Sequence, residues 1–417
     1  MSGYEITGGR PLTGRLAVQG AKNSVLPILA AALLAPGQSV IHNCPRLSDV
    51  STTLEILRLL GCGVEQEGDT VRVDASALDR ADIPEGLMRE MRSSVIFLGA
   101  LLARLGTAEL SYPGGCELGP RPIDMHLAAL RDLGAEILEQ SGSLCCRSGR
   151  ALTGRDICLP MPSVGATENA MLAACGASGE TNILGAAREP EIVDLQNFLR
   201  AMGADVSGAG GSVITIRGGK PLHPAEYTIM GDRIAAATYL CAAGAAGGHI
   251  ELTGIEPNAL TAVLACLEAA GCTVTTGPGQ IALESRAPLR GIRPVRTAPY
   301  PGFPTDAQAI LMAALAGGSG TTLFVENIFE SRYHHVDELR RMGADIQVFG
   351  RVAVVTGAGG LHGARVRSAD LRGGAALVVA GLAAEGVTRV TEAHHIHRGY
   401  EGLDRALTQL GADIRAV

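Results

Sequence analysis

The stretch DELRRMGADIQV, residues 337–348, decides how the rest of the chain is read. Asp337 to Met342 form a short amphipathic segment, Gly343 breaks it, and Ala344 to Val348 look like a strand. Glycine after a helix enters the left-handed region without a steric penalty, so it is the expected C-terminal cap. The same phrase occurs as LLG at Gly61, DLG at Gly134, AMG at Gly203, AAG at Gly271 and QLG at Gly411. Successive intervals are 73, 69, 68, 72 and 68 residues. A fixed period of this kind marks one supersecondary unit used repeatedly, here six times.

A second phrase runs in step with the first. Ser24–Leu34, Ser93–Leu105, Ala166–Gly176, Ile234–Ala245, Ala307–Ala316 and Gly374–Ala384 are short, apolar all round and rich in small residues. A helix apolar on every side must be buried. A glycine-marked turn and a strand follow each, as at Ser39–His42, Thr107–Ser111 and Thr321–Val325. The fold class is α/β, with six βαβαββ-type units, three per domain, buried helices and outer sheets. The sixth unit runs out of chain at Val417, and Ile6–Arg15 echoes Cys146–Arg155, so the N-terminal strands are expected to complete it. That gives a continuous domain, 21–229, and a discontinuous one, 1–20 with 230–417, with the active site in the cleft between them.

The 417 residues suit two domains, and 47% hydrophobic residues with 18% charged indicate a globular protein. A net charge of −7 argues against a nucleic-acid binder, so any anion must be met by a locally basic site. Met1–Arg10 lacks an apolar signal core, and Val25–Ala35 and Ala375–Ala384 are too short to span a bilayer. Ten cysteines without a CxxC pair point to a reducing, cytoplasmic setting. His394, His395 and His397 read as a loop face rather than a metal site.

Charge sits at two equivalent places in the unit. Buried helices open with Lys22-Asn23, Arg92, Thr167-Glu168, Asp232-Arg233, Thr305-Asp306, and Asp370 with Arg372. The connection before each glycine-capped helix carries Arg46, Cys116 with Arg121, Arg188-Glu189, Arg332 or Arg398. Helix N-termini favour anions, and arginines add bidentate recognition of carboxylate or phosphate. Asp and Thr there also read as ordinary N-caps, but capping does not require arginine. Pro113-Gly114-Gly115-Cys116 reads as a closing loop with a thiol activated by nearby arginines. Asp306 is the preferred general base, and Asp370 orients Arg372 or binds substrate.

At these residues the chain resembles the UDP-N-acetylglucosamine 1-carboxyvinyltransferases, the MurA family of enolpyruvyl transferases. The matching phrases are GAKN at 20–23, MRSS at 91–94, PGGCELGPRPIDMH at 113–126, SVGAT at 163–167 and AAREPEIVD at 186–194. RTAPYPGFPTDAQA at 296–309, SRYHHV at 331–336, ADLR at 369–372 and HRGYE at 397–401 complete them. The resemblance implies an inside-out α/β barrel pair and transfer of the enolpyruvyl group of phosphoenolpyruvate to the 3-hydroxyl of UDP-N-acetylglucosamine. It implies Lys22, Arg121 and Arg398 on the phosphate and carboxylate of phosphoenolpyruvate, with Arg92, Arg332 and Arg372 around them. Asn23 and Asp306 would contact the sugar, Asp306 as base, with Thr305 beside it and Asp370 nearby. Cys116 would serve as general acid or assist product release. Arg121, Pro122, Ile123, Asp124 and Met125, with Ser163, Val164, Gly165 and Ile328, would line the nucleotide site.

The resemblance calls for neither a metal nor an organic cofactor, and for no nucleic-acid or membrane partner. Ser48 stands where a lysine is common, His397 where an acidic residue is usual, and Gly373-Gly374 where bulkier residues are often seen. A related transferase with a phosphorylated cyclohexene acceptor, and a catalytically silent binding paralogue, are the competing readings.

Overall fold

A computed structural model describes residues 3–111, 123–140, 142–149 and 151–417. It divides into two compact bodies, one made of the chain up to Gln19 with Gly231–Val417, the other running from Gly20 to Met230. Each body contains three four-stranded sheets built to one plan.

In the continuous body the plan is plainest in the second repeat. Asp82–Ile83 pairs in parallel with Thr107–Ser111, and the crossover between them contains the helix Phe97–Leu105. A parallel pair needs such a crossover, because a hairpin can join only antiparallel strands. Ser143–Arg147 then pairs antiparallel with Thr107–Ser111, and Glu136–Gln140 lies at the far edge. The third repeat repeats this order with Asp156–Cys158, Gly179–Leu184, Val213–Gly218 and Asp205–Ser207. The first borrows its parallel strand, Glu226–Thr228, from the far end of the body and sets it beside Gln38–His42.

The split body closes in the same circular way. Gly3–Thr7 lies antiparallel between Val387–Thr391 and Asp413–Ala416 and so completes the sixth repeat. Leu12–Ala17 does not join it. That strand pairs in parallel with Gly248–Thr253 of the fourth repeat, where it fills the place that Glu226–Thr228 fills in the other body. The two N-terminal strands therefore serve different sheets, because the plan needs one strand from the preceding unit in every repeat.

The central helices are Lys22–Ala31, Phe97–Leu105, Val164–Gly176, Arg233–Ala246, Thr305–Ala316 and Leu371–Ala383. Ala166 to Cys175 are buried without interruption, as are Arg233 to Gly244 and Arg372 to Leu382. The strands alternate instead: Thr107–Ser111 turns Ala108 and Leu110 inward and keeps Thr107 and Glu109 exposed. Helices thus sit inside and sheets outside, with one core per body. Close helix contact depends on small residues. A side chain at Gly99 would come within 2.3 Å of the Asn169 carbonyl oxygen, while the Gly99 amide donates to Asn169 Oδ1 at 2.7 Å. Gly61, Gly134, Gly203, Gly271, Gly343 and Gly411 all have φ between 90° and 112°, the left-handed geometry of the cap.

Candidate active site

In the split body the polar helix starts converge on one carboxylate. Thr305–Ala316 opens with Thr305 and Asp306, and Leu371–Ala383 brings Arg372 in its first turn. Arg332 reaches the same point from the loop before Val336–Arg341. Arg332 Nη2 donates to Asp306 Oδ1 at 2.7 Å and to the Thr305 carbonyl at 3.2 Å. Arg372 Nη2 lies 3.4 Å from Asp306 Oδ2. Both arginines are only 3% exposed, a degree of burial that such charges tolerate when paired.

The surroundings hold these charges in place. Arg372 Nη1 donates to the Tyr400 hydroxyl at 3.2 Å, which also meets Thr238 Oγ1 at 2.8 Å. Burial works against the Arg372 charge, yet Tyr400, Asp306 and Asp232 keep its pKa above the ordinary arginine value. The Arg332 guanidinium lies over the Phe329 ring at 5.4 Å. Each arginine keeps a buried Nε without a partner among the described residues. Asp370 caps its helix, with Oδ1 accepting from the Arg372 and Gly373 amides at 2.9 Å. It therefore fixes the Arg372 backbone rather than the guanidinium. His335, buried behind them, is pushed down to about 4 by desolvation and stays neutral at physiological pH. Gly373 leaves room here, since a Cβ would come 2.8 Å from Asp370 Oδ2 and 3.0 Å from His335 Cβ. Arg398 is half-buried at the end of Ala393–Arg398, two residues before Tyr400. His397, beside it, meets the Tyr4 hydroxyl at 3.1 Å.

The continuous body holds a second group. Lys22 Nζ pairs with Asp49 Oδ2 at 2.6 Å, both side chains nearly buried. Asn23 and Arg92 are half-buried at the starts of Lys22–Ala31 and Arg92–Ile96. Ser163 caps Val164–Gly176, its hydroxyl accepting from the Ala166 amide at 3.4 Å. Gly165 lies against His126, where a Cβ would approach Cε1 within 2.8 Å, and His126 Nδ1 meets Asn169 Nδ2 at 2.8 Å. These contacts set the helix Asp124–Asp132 against the start of Val164–Gly176. Ile123, Asp124, Met125, Arg131, Cys158 and Leu159 line a cavity of about 410 Å³. Ser48 opens the helix Ser48–Leu59. Cys116, Arg121 and Pro122 lie outside the described residues.

Sequence reading missed several partners. Asp49 and Glu326 carry no motif of their own, and each meets a residue at least 21 positions away; Tyr400 was legible only as part of HRGYE and meets Arg372. Asp194 was legible only as part of AAREPEIVD; it accepts from Ser24 Oγ, from the Tyr227 hydroxyl at 2.6 Å and from the Met230 amide at 3.2 Å. Among the described residues no His, Cys, Asp or Glu group is arranged to hold a metal, and no helix is long and apolar enough to cross a membrane.

Comparison with known proteins supplies the context for this geometry. The family described as EPSP synthase (3-phosphoshikimate 1-carboxyvinyltransferase) matches residues 6–407. UDP-N-acetylglucosamine 1-carboxyvinyltransferase 2 of Caldanaerobacter subterraneus subsp. tengcongensis is 50% identical over 414 residues, covering 99% of both chains. UDP-N-acetylglucosamine 1-carboxyvinyltransferase 1 of Symbiobacterium thermophilum is 49% identical over 419 residues, covering 99% of this chain and 95% of its own. Among solved structures, the enolpyruvyl transferase NikO from Streptomyces tendae superimposes with a TM-score of 0.89 at 31% identity, covering 100% of this chain and 99% of its own. An EPSP synthase from Acinetobacter baumannii, with a TM-score of 0.77, 21% identity and 100% of both chains covered, shares the fold. The repeat, the sheets and half-identity over nearly the full length agree: this chain belongs to the enolpyruvyl transferase family, among the UDP-N-acetylglucosamine 1-carboxyvinyltransferases.

Proposed function

We propose that the chain transfers the enolpyruvyl group of phosphoenolpyruvate to the 3-hydroxyl of UDP-N-acetylglucosamine and releases phosphate, the first committed step of peptidoglycan synthesis, in the cytoplasm. The observation that carries this reading is the half-identity, over nearly the full length, to relatives named for that reaction. The match to a family described by the shikimate acceptor favours a second reading, but the structural relative of that description shares only 21% identity.

In the proposed reaction the vinyl carbon gains a proton from Cys116, which makes C2 electrophilic. The sugar 3-oxygen attacks C2 as Asp306 takes its proton, giving a tetrahedral ketal. The Cys116 thiolate left by the first step then takes back a methyl proton, which restores the double bond as the C2–O bond to phosphate breaks and phosphate leaves. The two substrates carry several negative charges and phosphate leaves as an anion, and fixed guanidinium groups stabilise that charge without reorganising. Lys22, Arg121 and Arg398 hold the phosphate and carboxylate. Arg332 and Arg372 add positive field beside the base, and their nearly complete burial supports that role. The cavity beside Asp124 and Met125 suits the uridine, with Ser163, Val164 and Gly165 toward the diphosphate.

The test offers both acceptors together with phosphoenolpyruvate and identifies by mass which one gains the enolpyruvyl ether. Modification of the nucleotide sugar alone is expected. Modification of shikimate 3-phosphate alone would overturn the acceptor.

A further inference from the structure

The residue that holds the split-body site together is not among those that face the reaction. Glu326 follows the strand Thr321–Val325 and is 1% exposed. Among the described residues it has no ion-pair partner, so a buried carboxylate rests on neutral donors alone. Oε1 accepts from Thr297 Oγ1 at 3.0 Å, the Ile328 amide at 2.8 Å and the Phe329 amide at 3.0 Å. Oε2 accepts from Thr305 Oγ1 at 3.0 Å. Burying a carboxylate is costly unless its lone pairs are filled, and here both oxygens are engaged.

Those donors belong to the site. Thr305 precedes Asp306 and opens the helix Thr305–Ala316, whose N-cap, Pro304, offers no side-chain cap. Ile328 and Phe329 lead into Arg332, and the Phe329 ring lies under its guanidinium at 5.4 Å. Arg332 returns to the Thr305 carbonyl at 3.2 Å and to Asp306 at 2.7 Å. The contacts close a circuit: Glu326 to Thr305, Thr305 to Arg332, Arg332 to Phe329, Phe329 back to Glu326.

We propose that Glu326 is a positioning residue that fastens the helix bearing Asp306 to the loop bearing Ile328 and Arg332. The proposal rests on the reading of Asp306 as the base. Thr305 acts through this clamp: its hydroxyl is engaged by Glu326, so its part in the reaction is to fix the first helical turn.

The test compares Glu326→Gln, Glu326→Ala and Thr305→Val in the full chain, each checked by circular dichroism. The glutamine keeps an Oε1 acceptor for three donors and presents Nε2 to the Thr305 hydroxyl, which can accept. Its kcat is expected to stay within about fivefold of wild type, because donor and acceptor roles at Thr305 can exchange. Glu326→Ala is expected to lower kcat about 100-fold with smaller changes in KM, as a misplaced reacting group does. Thr305→Val is expected to lose about 10-fold, and the double variant little more than Glu326→Ala alone, because the two act as one unit. Amide exchange at Ile328 and Phe329 should rise in Glu326→Ala and stay low in Glu326→Gln. Folded Glu326→Ala or Thr305→Val with wild-type kcat, glutamine as damaging as alanine, or unchanged exchange would each overturn the proposal. If Glu326→Ala does not fold, Thr305→Val and the glutamine decide it. A wild-type protein that releases no phosphate would count against the function, whereas the exchange comparison still decides the clamp.

Discussion

Replacing Asp306 with asparagine keeps the shape of the site and removes one charge, so it separates the ion pairing of Asp306 from its proposed role as base. Arg332 and Arg372, each 3% exposed, would then face a neutral amide. Breaking a fully buried ion pair costs about 3–5 kcal/mol. The Asp306 side chain is 29% exposed, however, so water relieves part of that cost, and about 1–3 kcal/mol is the better expectation. At roughly 2–4 °C per kcal/mol for a body of this size, melting should fall by roughly 2–12 °C. Saturating phosphoenolpyruvate should narrow that gap, because a bound anion stabilises the state whose guanidiniums it neutralises. Loss of the proposed general base should independently lower kcat by about 10²–10⁴-fold. Scanning calorimetry with and without phosphoenolpyruvate, beside phosphate-release kinetics, reads both effects. A folded Asp306→Asn enzyme with wild-type kcat would refute the base, and an unchanged melting temperature would refute the ion-pair array.

Asp49→Ala removes the carboxylate that the nearly buried Lys22 meets at 2.6 Å, so urea unfolding should show a loss of about 3–5 kcal/mol; a change below about 1 kcal/mol, the scale of an exposed pair, would contradict this. Glu168 is held well above the ordinary glutamate range by burial, then by Glu191 and Glu189. Its proton is bound more tightly in the folded than in the unfolded chain, so its contribution is favourable below the ordinary glutamate pKa and is lost as pH rises from there toward the raised one. Glu168→Gln should therefore melt higher than wild type near neutral pH, and the difference should vanish in acid; equal melting at both would show the burial cost is absent. Finally, the epoxide fosfomycin should alkylate Cys116, while burial pushes Cys62 up to about 11 and Cys175 up to about 12, leaving those thiols poor nucleophiles. An intact-mass adduct that survives Cys116→Ala would refute that assignment.

Much of the fold is legible because each repeat states it locally. A glycine at a fixed interval and a small-residue helix are properties of a few consecutive residues, and all six caps adopt the left-handed geometry. Helix starts were legible from two signals together. The apolar runs begin at Ala307 and Gly374, and the polar residues set before them, Thr305-Asp306 and Asp370 with Arg372, fall where the helices begin, at Thr305 and Leu371. The destination of Leu12–Ala17 was not legible either, because every repeat has a place for a parallel edge strand and the local sequence does not say which is vacant. Partners were the hardest to see. Asp49 and Glu326 are ordinary residues until the fold sets them against Lys22 and Thr305. A cluster assembled from separate repeats leaves no spacing in the chain.

Phosphate release from phosphoenolpyruvate reads the reaction itself, with UDP-N-acetylglucosamine and shikimate 3-phosphate supplied in separate assays. Phosphate is expected in proportion to nucleotide sugar consumed, and none above background with shikimate 3-phosphate. Release with shikimate 3-phosphate alone, or no release with either from folded protein, would contradict the proposed reaction.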